Sequence, residues 1–266
     1  MRMLKFQFPI QNKDEVLLKL EAASLNPFDW KVQKGMLWPL LPRRFPHIPG
    51  TDVAGEVVQV GPGVKKFKAG DKVVAWLTLL PPEVSAATAV GLPVAGLTAH
   101  QALIQSAGSS LMEVLGNTHV TATCGARNLD LVKSLGADEV IDYKTPEGAT
   151  LKSPSGRKYD AVIHCATGIP WSTFEPDLSA NGKVIDITPG LSAVANFALG
   201  KLTFSKKQLV PLLLSPKAQN LDYLLKLVRE GKLKTIIDSK YPLTKAEDAW
   251  AKSIDGHATG KIIVEP

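Results

Sequence analysis

Cysteine is nearly absent: Cys124 and Cys165 are the only two among 266 residues. Two thiols cannot build a disulfide framework or a cysteine-rich zinc lobe, and their scarcity points to a reducing compartment. Long apolar runs are missing as well. The stretch LVPLLL at 209–214 is among the longest, far short of the roughly 18 residues needed to cross a bilayer. The opening MRMLKFQFPIQNKDEV has no continuous apolar core, no small-residue cleavage site and no Ser-rich, acid-poor composition, so neither a secretory signal nor a transit peptide is expected there. His47, His100, His119, His164 and His257 lack ligand-like spacing, and no metal site is expected. Lys and Arg exceed Asp and Glu, for a net charge of +6, but they are scattered. Nucleic-acid binding would want them concentrated on one element beside aromatics, so no nucleic acid is expected. The charge does permit loose attachment to an anionic membrane surface, or attraction of a phosphorylated cofactor.

What is present reads as a globular α/β chain. With 45% hydrophobic and 21% charged residues, it can bury a substantial core. The first ninety residues are β-rich: EVLLKL at 15–20 puts Val16, Leu18 and Leu20 on one face, and DVAGEVVQV and DKVVAWL follow between Gly and Pro breaks. From about residue 120 the short strands HVTAT, YDAVIHC and GKVIDIT alternate with helical patterns, which predicts parallel βαβ units. Asn128 and Gly136 are expected to bound one helix, and Asn220 and Gly231 another, with Leu221, Leu224, Leu225 and Val228 on its apolar face. TKAE at 244–247 reads as a capping box before Ala246, Trp250 and Ile254. The predicted domains are 1–92, β-rich and incomplete; 93–232, nucleotide-binding in pattern; and 233–266, a C-terminal return to the first.

One unit is missing from this pattern. A dinucleotide fold supplies a strand, a Gly-rich turn and a helix before the strand at 119–124, because amides at that helix start hold the pyrophosphate. GPGVKK from Gly61 runs into a strand and lacks the third glycine, so it reads as a β-turn. Between GLPVAGLTAHQAL and THVTAT lies only IQSAGSSLMEVLGN, too short for a unit of about thirty residues. In the doubly wound order the absent strand lies at the centre of the sheet, so its neighbours must close the gap or leave backbone unpaired. A weakly stable fold with impaired cofactor binding is expected.

The end of the second strand carries its own signal. An acidic residue there would accept hydrogen bonds from a ribose 2′-hydroxyl and repel a 2′-phosphate. This chain places Cys124, Gly125, Ala126 and Arg127 instead. The small residues leave room, and a guanidinium matches a phosphate in charge and geometry, which favours NADPH over NADH.

SLNPFDWKVQKG, FPHIPGTDVAGEVVQVGPGVKKFKAGDKVVA, GLPVAGLTAHQAL, CGARNLDLVKSLGADEVIDYKT and GHATGKIIVEP together resemble the zinc-independent quinone oxidoreductase branch of the medium-chain dehydrogenase/reductase superfamily. The resemblance covers nearly the whole chain. It implies an α/β fold with a GroES-like β-rich catalytic domain and a Rossmann-type doubly wound domain, here both truncated: near Leu80 and Pro81, at the N-terminus, and near Gly116 and Asn117, where the family's ASGGVG-type loop is absent. It implies NADPH as hydride donor and, as small-molecule substrate, a quinone or an enone (an alkene conjugated to a carbonyl). No metal is implied, since Gly50, Thr51 and Asp52 stand where zinc-dependent relatives carry GHE. A homodimer and, by resemblance alone, a place at the chloroplast envelope are implied as well; otherwise the cytoplasm is expected.

By the same resemblance Asn26 and Asp29, the N-P-x-D segment, are catalytic, near nicotinamide and substrate; as residues they equally make a polar turn. Thr98 approaches the nicotinamide or caps a helix. Tyr143 flanks the phosphate or adenine, or packs at the rim, and Cys165 with Ala166 sits where the cofactor passes. Cys165 has no activating partner and reads as a buried small residue rather than a nucleophile. Trp30, Trp38 and Phe45 line an apolar acceptor pocket or simply pack. The alternative to an active reductase is an impaired family member that binds only a small apolar ligand or a full-length relative.

Overall fold

The computed structural model describes residues 11–36, 41, 47–75, 78–106, 118–202 and 204–266. Trp38, Phe45 and the expected break at Gly116 and Asn117 lie outside them. In chain order the first elements are β1 (Val16–Leu25), α1 (Pro27–Gln33), β2 (Asp52–Val60), β3 (Lys72–Val74), β4 (Thr78–Leu79), α2 (Ala86–Ala89) and α3 (Pro93–His100). Next come β5 (Thr121–Cys124), α4 (Leu129–Ser134), β6 (Glu139–Asp142), β7 (Tyr159–His164), α5 (Trp171–Phe174), β8 (Leu178–Asp186), α6 (Leu191–Leu202) and β9 (Gln208–Pro211). The chain closes with α7 (Ala218–Arg229), β10 (Ile237–Pro242), α8 (Ala246–Asp255) and β11 (Lys261–Glu265).

These elements fall into two compact units: residues 1–97 with 216–266, and residues 98–215. The cuts lie at 97/98 and 215/216, whereas the sequence reading cut at 92/93 and 232/233. The difference is α7, whose Leu224 packs against Gly96 in the first unit.

Unit 1 is a six-stranded sheet in the order β10-β11-β1-β2-β3-β4. β1 lies at its centre, antiparallel to β2 (Ala23↔Val53) and to β11 (Leu25↔Ile262). A Cβ on Gly55 would sit 2.2 Å from the Lys19 carbonyl oxygen, so only glycine allows β2 its close approach to β1. Ala22, Ala54, Val57, Val73, Val74 and Ile263 are buried, and α8 seats Ala249 against Ile262 and Val264. Residues from both the N-terminal and the C-terminal parts of the chain therefore share this unit.

Unit 2 is parallel throughout, in two pieces. β5 pairs β6 (Thr121↔Glu139 to Cys124↔Asp142), and β7, β8 and β9 form a separate three-stranded sheet. Among the described residues no strand joins β5 to β7. Two parallel pieces, β6-β5 and β7-β8-β9, with no described strand between them, are what the doubly wound order leaves when its central strand is taken out. The two pieces are unequally covered. Ile185 packs with Ala102 and Leu212 on one face, and Val184 with Phe174 and Leu178 on the other, as a parallel sheet requires. β5 and α4 bury no residue, and β6 buries only Ile141. The β5-β6 piece is pinned at one end by Glu139, whose carboxylate accepts from Thr121 Oγ1 (2.7 Å), Ser153 Oγ (2.6 Å) and the Ser155 amide (2.9 Å). Those donors, Ser153 first, hold its carboxyl well below the usual range.

The helix ends correct two expectations. α7 begins at Ala218 with Lys217 as N-cap, which puts Asn220 inside the helix. Thr244 falls in a single 3-10 turn, Leu243–Lys245, that moves the start of α8 past it, so the 244–247 box does not form. Gly136 and Gly231 close their helices at φ 101° and 70°, a backbone region that glycine alone enters freely.

Candidate active site

β1 delivers the chain from the sheet centre into the tight turn that starts α1. Pro27 pre-sets the first helical position, and Asn26 precedes it as N-cap. The Asn26 amide N–H donates to Asp29 Oδ2 (2.8 Å), and the Asp29 N–H donates back to the Asn26 carbonyl (3.0 Å). Thr51 Oγ1 lies 3.4 Å from Asp29 Oδ1. The resemblance-based pair is thus one folded unit, and both members are 3% exposed. Trp30 follows on α1, with the Lys34 ammonium 5.0 Å from its ring centroid.

Beneath the turn lies a polar cluster that sequence reasoning missed. Asp52, at the start of β2, is wholly buried. Its Oδ2 accepts from Asn26 Nδ2 (2.8 Å), and its Oδ1 from the amide of Val94 at the start of α3 (3.1 Å), where a negative charge suits the helix dipole. Ser24 Oγ lies 2.9 Å from both Asp52 Oδ2 and the Val90 carbonyl, with a single proton to share between them. Lys261, the first residue of β11, brings its ammonium to Asn26 Oδ1 (2.6 Å), the Leu25 carbonyl (3.2 Å) and Asp52 Oδ2 (3.5 Å). Burial dominates the electrostatics: it pushes the carboxyls of Asp29 and Asp52 up and the Lys261 ammonium down, against the opposing pull of their mutual charges. The only local signals were Asp52 two residues after Gly50 and a lone lysine heading an apolar strand, and neither reveals its partner.

The second cluster is in unit 2, at the carboxyl end of β5. Gly125 follows Cys124, and Arg127 stands exposed on the 3-10 turn Ala126–Asn128. The Tyr143 N–H donates to the Cys124 carbonyl (3.2 Å). A Cβ on Gly125 would meet the Tyr143 hydroxyl and the Lys144 side chain, both at 3.9 Å. Cys124, Gly125 and Tyr143 therefore lie together, with the Lys144 side chain beside them. Tyr143 is half exposed instead of packed.

Cys165 and Ala166 lie beyond the end of β7, where Thr188 Oγ1 donates to the Ala166 carbonyl (3.0 Å). Cys165 is exposed, which overturns its reading as a buried residue: the strand ends one position earlier, at His164, and the chain turns outward. Enough protein still surrounds the thiol that desolvation, aided by Asp186, pushes it up, so it remains a poor nucleophile. Thr98 is the sixth residue of α3, not its cap, on the helix whose start Asp52 holds.

A β-rich unit carrying a polar turn, joined to a parallel nucleotide-type unit, defines a two-domain oxidoreductase. The chain belongs to the medium-chain dehydrogenase/reductase superfamily, within its quinone oxidoreductase branch. Residues 12–110 match the alcohol dehydrogenase GroES-like domain, and residues 135–264 the zinc-binding dehydrogenase domain. Among the described residues no group of three His, Cys, Asp or Glu is placed to hold a metal. The chain is 62% identical over 301 aligned residues to the chloroplast envelope quinone oxidoreductase homolog of Arabidopsis thaliana, with 97% of this chain and 92% of that one covered. It is 30% identical to the NADPH-dependent alkenal/one oxidoreductase, chloroplastic, of the same plant, covering 97% and 74%. The quinone oxidoreductase structure from Coxiella burnetii superposes with a TM-score of 0.86 at 26% identity, covering 100% and 94%. An alignment of 301 positions is longer than the chain itself, so the Arabidopsis relative carries internal residues that have no counterpart here.

Proposed function

We propose that the chain is an NADPH-dependent oxidoreductase that reduces quinones, or the C=C bond of α,β-unsaturated carbonyls, without a metal. The observation that carries this reading is Gly125 with the Tyr143 hydroxyl and Lys144 side chain beside it and Arg127 on the following turn. That donor set fits a 2′-phosphate, and no carboxylate stands at position 127 to repel one. The names of the quinone and alkenal/one oxidoreductase relatives support the acceptor class. When bound, the cofactor supplies a hydride; the residues of this chain hold its phosphate, border the acceptor and manage the proton. Asp29 Oδ2 accepts from the Asn26 backbone N–H, Oδ1 lies 3.4 Å from Thr51 Oγ1, and burial pushes this carboxyl up. By resemblance Thr98 is assigned to the nicotinamide side, and Cys165 with Ala166 to the path of the cofactor.

The pyrophosphate does not fit equally well. Among the described residues no Gly-rich turn and helix precede β5, and the sheet is split at that place. This favours a second reading, in which the chain is impaired in cofactor binding and pairs with a full-length relative through the β5 and β7 edges. Titration of the 266-residue chain with NADPH and with NADH, followed by energy transfer from its 5 tryptophans, separates the two. Saturable binding that prefers NADPH supports the reductase; a folded chain that binds neither leaves the second. Peripheral attachment at the chloroplast envelope, suggested by the name of the Arabidopsis relative, and homodimer formation belong to the same proposal. Salt-sensitive vesicle binding and light scattering test them.

A further inference from the structure

The side-chain amide of Asn26 has two orientations, and its surroundings decide between them. As built, Oδ1 faces the Lys261 ammonium at 2.6 Å and Nδ2 faces the Asp52 carboxylate at 2.8 Å. A flip would set an NH2 against an ammonium and a carbonyl against a carboxylate, two repulsions in a buried place. Lys261 also binds the Leu25 carbonyl, immediately before the turn. Asp52 in turn ties the same point to the start of α3. A single ion pair, contributed by β2 and β11, therefore grips the Asn26–Asp29 turn and the helix that carries Thr98.

We propose that Lys261 and Asp52 are positioning residues for the Asn26–Asp29 turn, so that the C-terminal strand is a working part of the site. Replacing a buried ion pair by neutral side chains of similar volume is often harmless to stability. Holding a turn in one register is a separate task, which apolar side chains without donors or acceptors do not perform. The link to catalysis rests on the oxidoreductase reading above; the link to the amide does not.

The test uses the full 15N-labelled chain, with Asn26→Ser to assign the side-chain amide. In the wild type that NH2 should be protected from solvent exchange about 100-fold or more relative to an exposed asparagine. In the double variant Lys261→Met/Asp52→Leu the melting transition should be retained, the amide protection lost, and kcat/KM for a quinone or enone reduced about 10- to 100-fold with NADPH binding unchanged. A wild-type amide that exchanges freely overturns the proposal without any variant. So does a double variant with amide protection and kcat/KM both intact. If the wild type turns over no acceptor, the oxidoreductase reading fails, and the amide measurement still decides whether the pair positions the turn.

Discussion

The two units show what a missing strand does to each kind of sheet. Unit 1 is antiparallel around β1, and although the family resemblance implies a block missing near Leu80 and Pro81, β4 closes that edge as a two-residue strand. Among its described strands β1 pairs on both sides, with β2 and with β11. Among the described residues, no strand links the two pieces of unit 2, where the doubly wound order has its centre. A parallel sheet depends on strands buried on both faces, and among the described residues β5 and β7 each pair on one side alone. A deletion at a sheet's edge shortens it; a deletion at its centre divides it.

The largest test of this contrast is a core truncation in each unit. Ile263→Ala on β11, fully buried, should cost about 2 to 5 kcal/mol in denaturant unfolding. Ile141→Ala on β6 should cost less, because β5 and α4 around it bury no residue. Equal losses would break the comparison. Hydrogen exchange extends it residue by residue: amides of β1 and β11 should exchange only near global unfolding, while those of β5 should open at about 0 to 3 kcal/mol. Uniform protection across both units would mean that the gap carries no penalty.

Arg127→Glu should weaken NADPH about tenfold or more while leaving NADH nearly unchanged. Equal effects on the two cofactors would remove Arg127 from the phosphate site. The smallest effect is in pH. Glu139 has a carboxyl lowered from 4.5, so its contribution is present above that value and is lost as pH falls below it. Asp29 and Asp52 are raised from 3.8, so their contribution is present below that value and is lost as pH rises toward their folded-state values. Stability against pH in the wild type, Glu139→Gln and Asp29→Asn should therefore show opposite slopes removed by the two substitutions. Parallel slopes would refute the assignment.

Much of this was legible locally. Period-2 alternation marked β1 and β2, glycines at Gly136 and Gly231 marked helix ends, and the short tract before THVTAT revealed that a unit was absent. The candidate site was legible where neighbours in sequence are neighbours in space, as in Asn26 with Asp29 and Cys124 with Gly125. It was not legible where they are far apart. Lys261 meets Asn26 across 235 positions, and Gly125 meets Tyr143 and Lys144 only because β5 and β6 pair in parallel. Capping failed at Asn220 and Thr244 because such signals depend on where a helix starts, and a preceding 3-10 turn or docking against a core can move that point.

By itself, the sequence determined the class of fold, the family and the absence of the pyrophosphate loop, since each is written in the order and spacing of nearby residues. Tertiary structure alone decided that the parallel sheet stays divided and that Asp52 and Lys261 grip the Asn26 turn. The physical reason is the same in both cases. Strand pairing and burial act between segments far apart in the chain, and it is desolvation at their meeting point that turns scattered polar residues into one coupled cluster.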